Sequence, residues 1–268
     1  MPHPDPDTGP MPSAEAQTTA TSDRVLQVLA VLAQQGRVLN AGELMAHTGL
    51  ARSTLYRLLA RLKRWGFVVE DEGNYAPGPL SLQLALGFDL SSHLVRQARQ
   101  EMIELARQSR ESVGLIVAGN DRAICLDMVE SEQSLRCSFE KGRSVPLRAG
   151  ASAKCLLAHL PDAQRDAVLA AQYPDPVQRE AAAAELAAIR QAGYVMTAGE
   201  VDPGVWGVSA PLFGAGRRAV GVITLMAPVT RAQGQEKALA DLALVAAARI
   251  SRGLALPCIP FQPKETLP

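Results

Sequence analysis

The chain has 268 residues, 47% of them apolar and 20% charged, with 27 basic side chains balanced by 27 acidic ones. This excludes wholesale disorder and a uniformly cationic surface, and the length suits one large domain or two ordinary ones. No run of about 18 apolar residues is present, so nothing is expected to span a membrane. The four cysteines, Cys125, Cys137, Cys155 and Cys258, form no C-x-x-C pair and no Cys/His cluster with zinc spacing. They read as free thiols of a reducing cytoplasm, with neither metal nor cofactor expected.

Residues 1–21, rich in Pro, Ser, Thr, Ala and Asp, lack the basic and apolar regions of a signal peptide and read as a disordered tail. Order is expected from Ser22, where Val25, Leu26, Val28, Leu29 and Leu32 recur at helical spacing behind a cap at Ser22 or Asp23. Gly36 ends this helix. Asn40 is placed to cap a short helix from Ala41 to His47, and Thr48-Gly49 makes the turn after it.

The stretch LARSTLYRLLARLKRWGF, Leu50 to Phe67, carries the most information. Leu55, Leu58, Leu59 and Leu62 make an apolar stripe, and five basic residues with no acidic one lie between Ala51 and Trp65. A short helix, a glycine turn and a basic amphipathic helix form the signature of a helix-turn-helix. Arg52, Ser53, Thr54, Tyr56, Arg57 and Arg61 are the candidates for DNA contact. Those nearest the helix start are placed for base edges, and Arg61, Lys63 and Arg64 for phosphate or solvent. The segment from Phe67 to Ala76 reads as a β-hairpin, hence a wing. Its acidic Glu70-Asp71-Glu72 either points away from DNA or makes a weak contact.

Pro77-Gly78-Pro79 punctuates the chain, and an apolar, helix-prone linker follows over residues 80–91. A further helix is expected from His93 to Arg110. Val113–Ala118 and Ala123–Val129 read as a hairpin turned at Asn120-Asp121, and Leu135–Phe139 as a third strand. Helices are expected at Gly150–Leu160, Ala163–Ala171 and Gln178–Ala192. Strands follow from Tyr194, over Val205–Phe213 and over Ala219–Met226, and a long amphipathic helix runs from Gln235 to Leu254. Strands grouped around helices without βαβ alternation imply an α+β domain with an antiparallel sheet and a pocket over it.

These residues resemble the IclR family of bacterial regulators over Ser22–Leu254. The likeness rests on the helix-turn-helix with RSTLYRLL and on three later segments: VPLRAGASAKCLLAHL from Val145, IRQAGYVMTAGEVDPGVWGVSAPLF from Ile189, and AVGVITLMAP from Ala219. The resemblance implies a winged helix-turn-helix domain over residues 22–79 and a linker helix over 80–91. It also implies a GAF-like α+β effector-binding domain over 92–256, followed by a tail over 257–268. It implies homodimers, often paired into tetramers, on pseudo-palindromic double-stranded operators, controlled by small organic effectors. By position, the effector would meet Ala151 and Ser152, through backbone N–H groups before Lys154, and Thr197, Gly207, Thr224 and Met226. Relatives often carry an acid at Thr197, Cys at Gly207 and small polar residues at the last two positions. The exchange implies a roomier, less polar pocket, suited to an aromatic or otherwise bulkier effector. Lys154 is either a structural ion-pair partner or a ligand contact.

Two other readings compete. An enzyme would need a recognisable constellation, but Ser152 and Lys154 stand two apart, unlike S-x-x-K, and no G-x-S-x-G, H-E-x-x-H, P-loop or Rossmann fingerprint occurs. A small-molecule-binding module using its winged helix for protein contact should expose an apolar or mixed-charge helix, whereas this one is uniformly basic.

Overall fold

The computed structural model describes residues 21–255, and of residues 89–91 the backbone alone. The expected tails, with Cys258, lie outside the described residues, save Thr21, which is already helical. Contacts divide the chain into two compact units that part between Ala85 and Leu86.

The first unit contains α1 (Thr21–Gln35), β1 (Leu39–Asn40), α2 (Ala41–Thr48), α3 (Arg52–Arg64), β2 (Val68–Asp71) and β3 (Asn74–Pro77). The strands make a small antiparallel sheet in the order β1-β3-β2. Ser22 and Asp23, expected as caps, are themselves helical, since α1 already includes Thr21, the first described residue. Asn40 caps α2 through a capping box: its side chain accepts from the Glu43 N–H at 2.9 Å, and the Glu43 carboxylate accepts from the Asn40 N–H at 2.9 Å. Gly49, with φ of 68°, closes α2 in the left-handed conformation that glycine adopts without steric cost. The leucine stripe of α3 is fully buried with Val28, Leu32, Leu39, Leu44 and Tyr75. Each such leucine contributes about 1.5–3 kcal/mol of apolar burial. Glu72 and Gly73, with φ of 47° and 78°, form the tight turn between β2 and β3.

Helix α4 (Pro79–Ser91) spans the boundary between the units and exposes Leu82, Leu84 and Leu86. The second unit continues with α5 (His93–Ser109), β4 (Ser112–Gly119), β5 (Arg122–Val129), β6 (Ser144–Pro146), α6 (Ala151–His159), α7 (Asp162–Gln172) and α8 (Pro176–Ala192). It ends with β7 (Val195–Ala198), β8 (Val205–Phe213), β9 (Ala219–Pro228), α9 (Val229–Ala232) and α10 (Glu236–Ala255). The six strands form one antiparallel sheet ordered β6-β5-β4-β9-β8-β7.

Alternation along the central strands sorts their side chains between two cores. Trp206, Val208, Ala210 and Leu212 of β8 and Ile223, Leu225 and Ala227 of β9 pack with α5 and α10. Ile116 and Val222 turn to the other face, where α6, α7 and α8 supply Leu156, Leu157, Val168, Leu169, Leu186 and Ile189. At the sheet's end Arg231 grips the buried Glu111 carboxylate with two hydrogen bonds of 2.6 and 2.8 Å.

The third strand expected at Leu135–Phe139 is absent; β6 takes that place in the sheet. Residues 135, 137 and 139 alternate with polar ones as a strand would. However, the Glu130 carboxylate accepts from Arg136 Nε at 2.8 Å and from Ser138 Oγ at 2.5 Å, and this folds the segment into a loop. Leu135 points to solvent.

Candidate DNA face and effector cavity

On α3 the buried stripe fixes which face is free. Arg52, Ser53, Tyr56, Arg57 and Arg61 are exposed and Thr54 is half-buried, so all six residues proposed from sequence lie off the stripe. The Arg52 guanidinium lies 5.6 Å from the centroid of the Tyr56 ring, one helical turn on. Ala51 provides no side-chain cap to α3, which leaves the donors of its first turn to an outside acceptor. Lys63 instead pairs with Glu70 of the wing, and that hydrogen bond holds the Glu70 carboxyl below its ordinary range. The acidic stretch is therefore partly neutralised from within the unit, and Lys63 is engaged there.

In the second unit, Ala151, Ser152, Thr197, Gly207, Thr224 and Met226 all line one cavity of about 80 Å³ between the sheet and the start of α6. The 2-residue period of β9 carries Thr224 and Met226 to the same face, and pairing of β7 with β8 sets Thr197 opposite Gly207. A Cβ added at Gly207 would meet Ala151 Cβ at 3.8 Å and Met226 Cγ at 3.9 Å, so the missing side chain is itself part of the space. The Thr224 hydroxyl lies 2.7 Å from Ser209 Oγ, both buried; whichever donates, one hydroxyl proton remains for another acceptor.

Gly150 caps α6 with φ of 86° and provides no side chain for the donors of the first turn. Its own N–H donates to Glu200 Oε2 at 2.9 Å. The other oxygen of Glu200 accepts from Lys154 Nζ at 2.8 Å, and Lys154 also reaches Glu185 at 2.7 Å. Burial lowers the Lys154 pKa, but the hydrogen bonds to Glu185 and Glu200 outweigh it and leave the pKa raised. Lys154 is thus an ion-pair partner that ties α6 to α8 and the loop after β7, and it does not line the cavity.

Sequence reasoning missed Ile116, Phe139, Val145, Gly150, Glu200, Val201, Asp202 and Val205, which complete the lining. Phe139 arrives on the loop expected as a strand. Glu200 supplies an acid three residues beyond Thr197, and its signal was the run AGEVDPG. Among the described residues no cluster of ligands could hold a metal ion, and no helix is long and apolar enough to cross a membrane.

Comparison with known proteins gives this geometry its context. Residues 21–72 match the IclR helix-turn-helix domain, and residues 90–252 match the bacterial transcriptional regulator IclR C-terminal domain. The chain belongs to the IclR family. It is a DNA-binding transcriptional regulator of the IclR type, with a winged helix-turn-helix followed by an α+β domain. The HTH-type transcriptional regulator Rv1719 of Mycobacterium tuberculosis is 32% identical over 246 residues, covering 87% of this chain and 93% of that one. An IclR family transcriptional regulator from Brucella abortus shares the fold with a TM-score of 0.77 at 22% identity, covering 90% of this chain and 95% of that one. A homologue from Microbacterium hydrocarbonoxydans, solved in complex with 4-hydroxybenzoate, matches with a TM-score of 0.67 at 21% identity, over 88% of this chain and 99% of that one.

Proposed function

We propose that the regulator contacts operator DNA through Arg52, Ser53, Thr54, Tyr56, Arg57 and Arg61, and that an organic carboxylate in the cavity of the second unit controls it. The observation that carries the effector reading is the uncapped start of α6 opening onto that cavity. Positive partial charge and free N–H groups there suit a carboxylate, and Ala151 and Ser152 provide them. Beyond this polar end the wall is largely apolar, with Ile116, Phe139, Val145, Val205 and Met226, which favours a ring over a bare short-chain acid. The Microbacterium homologue holds an aromatic acid of this class.

The cavity's about 80 Å³ is less than the about 150 Å³ that accommodates benzene in an apolar cavity. A ring therefore enters by displacing Phe139 or Val201, both on irregular segments, and this displacement separates the liganded arrangement from the free one. Effector control of DNA binding needs such a difference between two arrangements. The exposed leucines of α4 provide an apolar face for a second copy, so the working form is read as a dimer.

Thermal-shift titration tests the effector reading. 4-Hydroxybenzoate and related aromatic acids are expected to raise the melting temperature, by about 2.7 kcal/mol of stabilisation at a hundredfold excess over Kd. Gly207→Leu, which fills the cavity, is expected to abolish that response. Stabilisation by short aliphatic acids alone, or an aromatic response that survives Gly207→Leu, contradicts the reading.

A further inference from the structure

A second and larger cavity, of about 530 Å³, lies at the opposite end of α6. Its walls combine the C-terminal end of α6, the start of α7 and the turn between β8 and β9. Three guanidiniums line it, from Arg190, Arg217 and Arg218, against the single carboxylate of Asp162. That carboxylate is already shared, 3.5 Å from Arg190 and 2.8 Å from Arg165. Arg217 and Arg218 have no acidic partner among the described residues, yet the chain places them side by side on a tight turn. The Gly214 N–H donates to the Arg218 carbonyl at 2.9 Å across that turn, and Arg217 adopts a φ of 57°. A left-handed non-glycine residue is a conformational cost that the turn bears to present the pair together. Pro161 gives α7 no side-chain cap, so the first-turn donors of this 11-residue helix add positive potential at the same wall. Phe213, Leu156 and Val222 form an apolar floor.

We infer that this cavity is a second ligand site of the regulator, for a small anion with two or more negative charges and a short apolar part, such as a phosphate ester or a polycarboxylate. Guanidinium forks recognise both groups, with geometry that a single charge would not need. A concave site with Asp162 at its rim favours a compact anion over the backbone of a duplex. The site is separate from the carboxylate cavity at the start of α6, and its test does not depend on that reading.

Isothermal titration calorimetry at fixed ionic strength, with inorganic pyrophosphate and citrate as probes, decides the matter. Saturable binding of at least one probe is expected, without competition from acetate; preference for pyrophosphate assigns a phosphate ester and preference for citrate a polycarboxylate. The R217A/R218A variant is expected to bind about tenfold or more weakly. Both residues are exposed on a turn, so its melting temperature without ligand should match that of the parent. Absence of binding by both probes, or binding unchanged in the double variant, overturns the inference. So does a double variant that keeps its anion affinity and loses DNA affinity, which assigns the two arginines to duplex phosphates.

Discussion

Gly150 is tightly constrained at the cavity beside the start of α6. Its φ of 86° is one that side chains rarely adopt, and a Cβ there would come within 2.7 Å of Val201 Cγ2. Gly150→Ala is expected to destabilise the second unit by about 1–3 kcal/mol. It should also lift the loop bearing Glu200 from the start of α6. Urea denaturation measures the first effect, and a Gly150→Ala protein as stable as the parent removes the constraint. The thiols give a second residue-scale expectation. Burial pushes Cys155 up to about 12 and, with the Asp127 charge adding to it, Cys125 up to about 11. A thiol in this condition stays protonated and is a poor nucleophile. Among the described cysteines, Cys137 alone is partly exposed, so iodoacetamide on the native protein should label it before Cys125 and Cys155 by peptide mapping. Equal labelling of Cys155 contradicts the burial.

At the scale of elements, what the sequence reveals follows the strength of its periodicity. The leucine stripe of α3, the Asn40 cap, and the alternation in β8 and β9 each have a local physical cause, so their residues could be placed before any contact was known. Thr224 and Met226 share a face for the same reason, and the likeness to the family located Ala151 and Ser152. Long-range partnerships left no such trace. The strand pattern at Leu135–Phe139 was overridden by the hold of Glu130 on Arg136 and Ser138, and that is why Phe139 went unassigned. The pairings of Glu200 with Gly150 and of Lys63 with Glu70 likewise depend on how distant segments fold back. The apolar residues of α4 were visible as composition, and the structure adds that Leu82 and Leu86 are exposed one turn apart. In the proposed dimer this face is covered. Leu82→Glu with Leu86→Glu is expected to shift the sedimentation-equilibrium mass towards the monomer while far-UV circular dichroism stays unchanged. A dimer of undiminished strength places the interface elsewhere.

For the whole molecule, two units divide the labour expected of an IclR-type regulator: a basic helix held by its leucines, and a sheet domain that encloses a cavity. The account depends most on the outward face of α3 meeting a duplex. Fluorescence anisotropy with promoter fragments from beside the protein's own gene, titrated from low to moderate salt, tests this most directly. Tight, salt-dependent binding is expected. Arg57→Ala should weaken it and reduce the slope of log K against log salt by about one unit if the guanidinium meets phosphate. Affinity and slope both unchanged by Arg57→Ala, or no binding to any fragment in dilute buffer, would contradict the account.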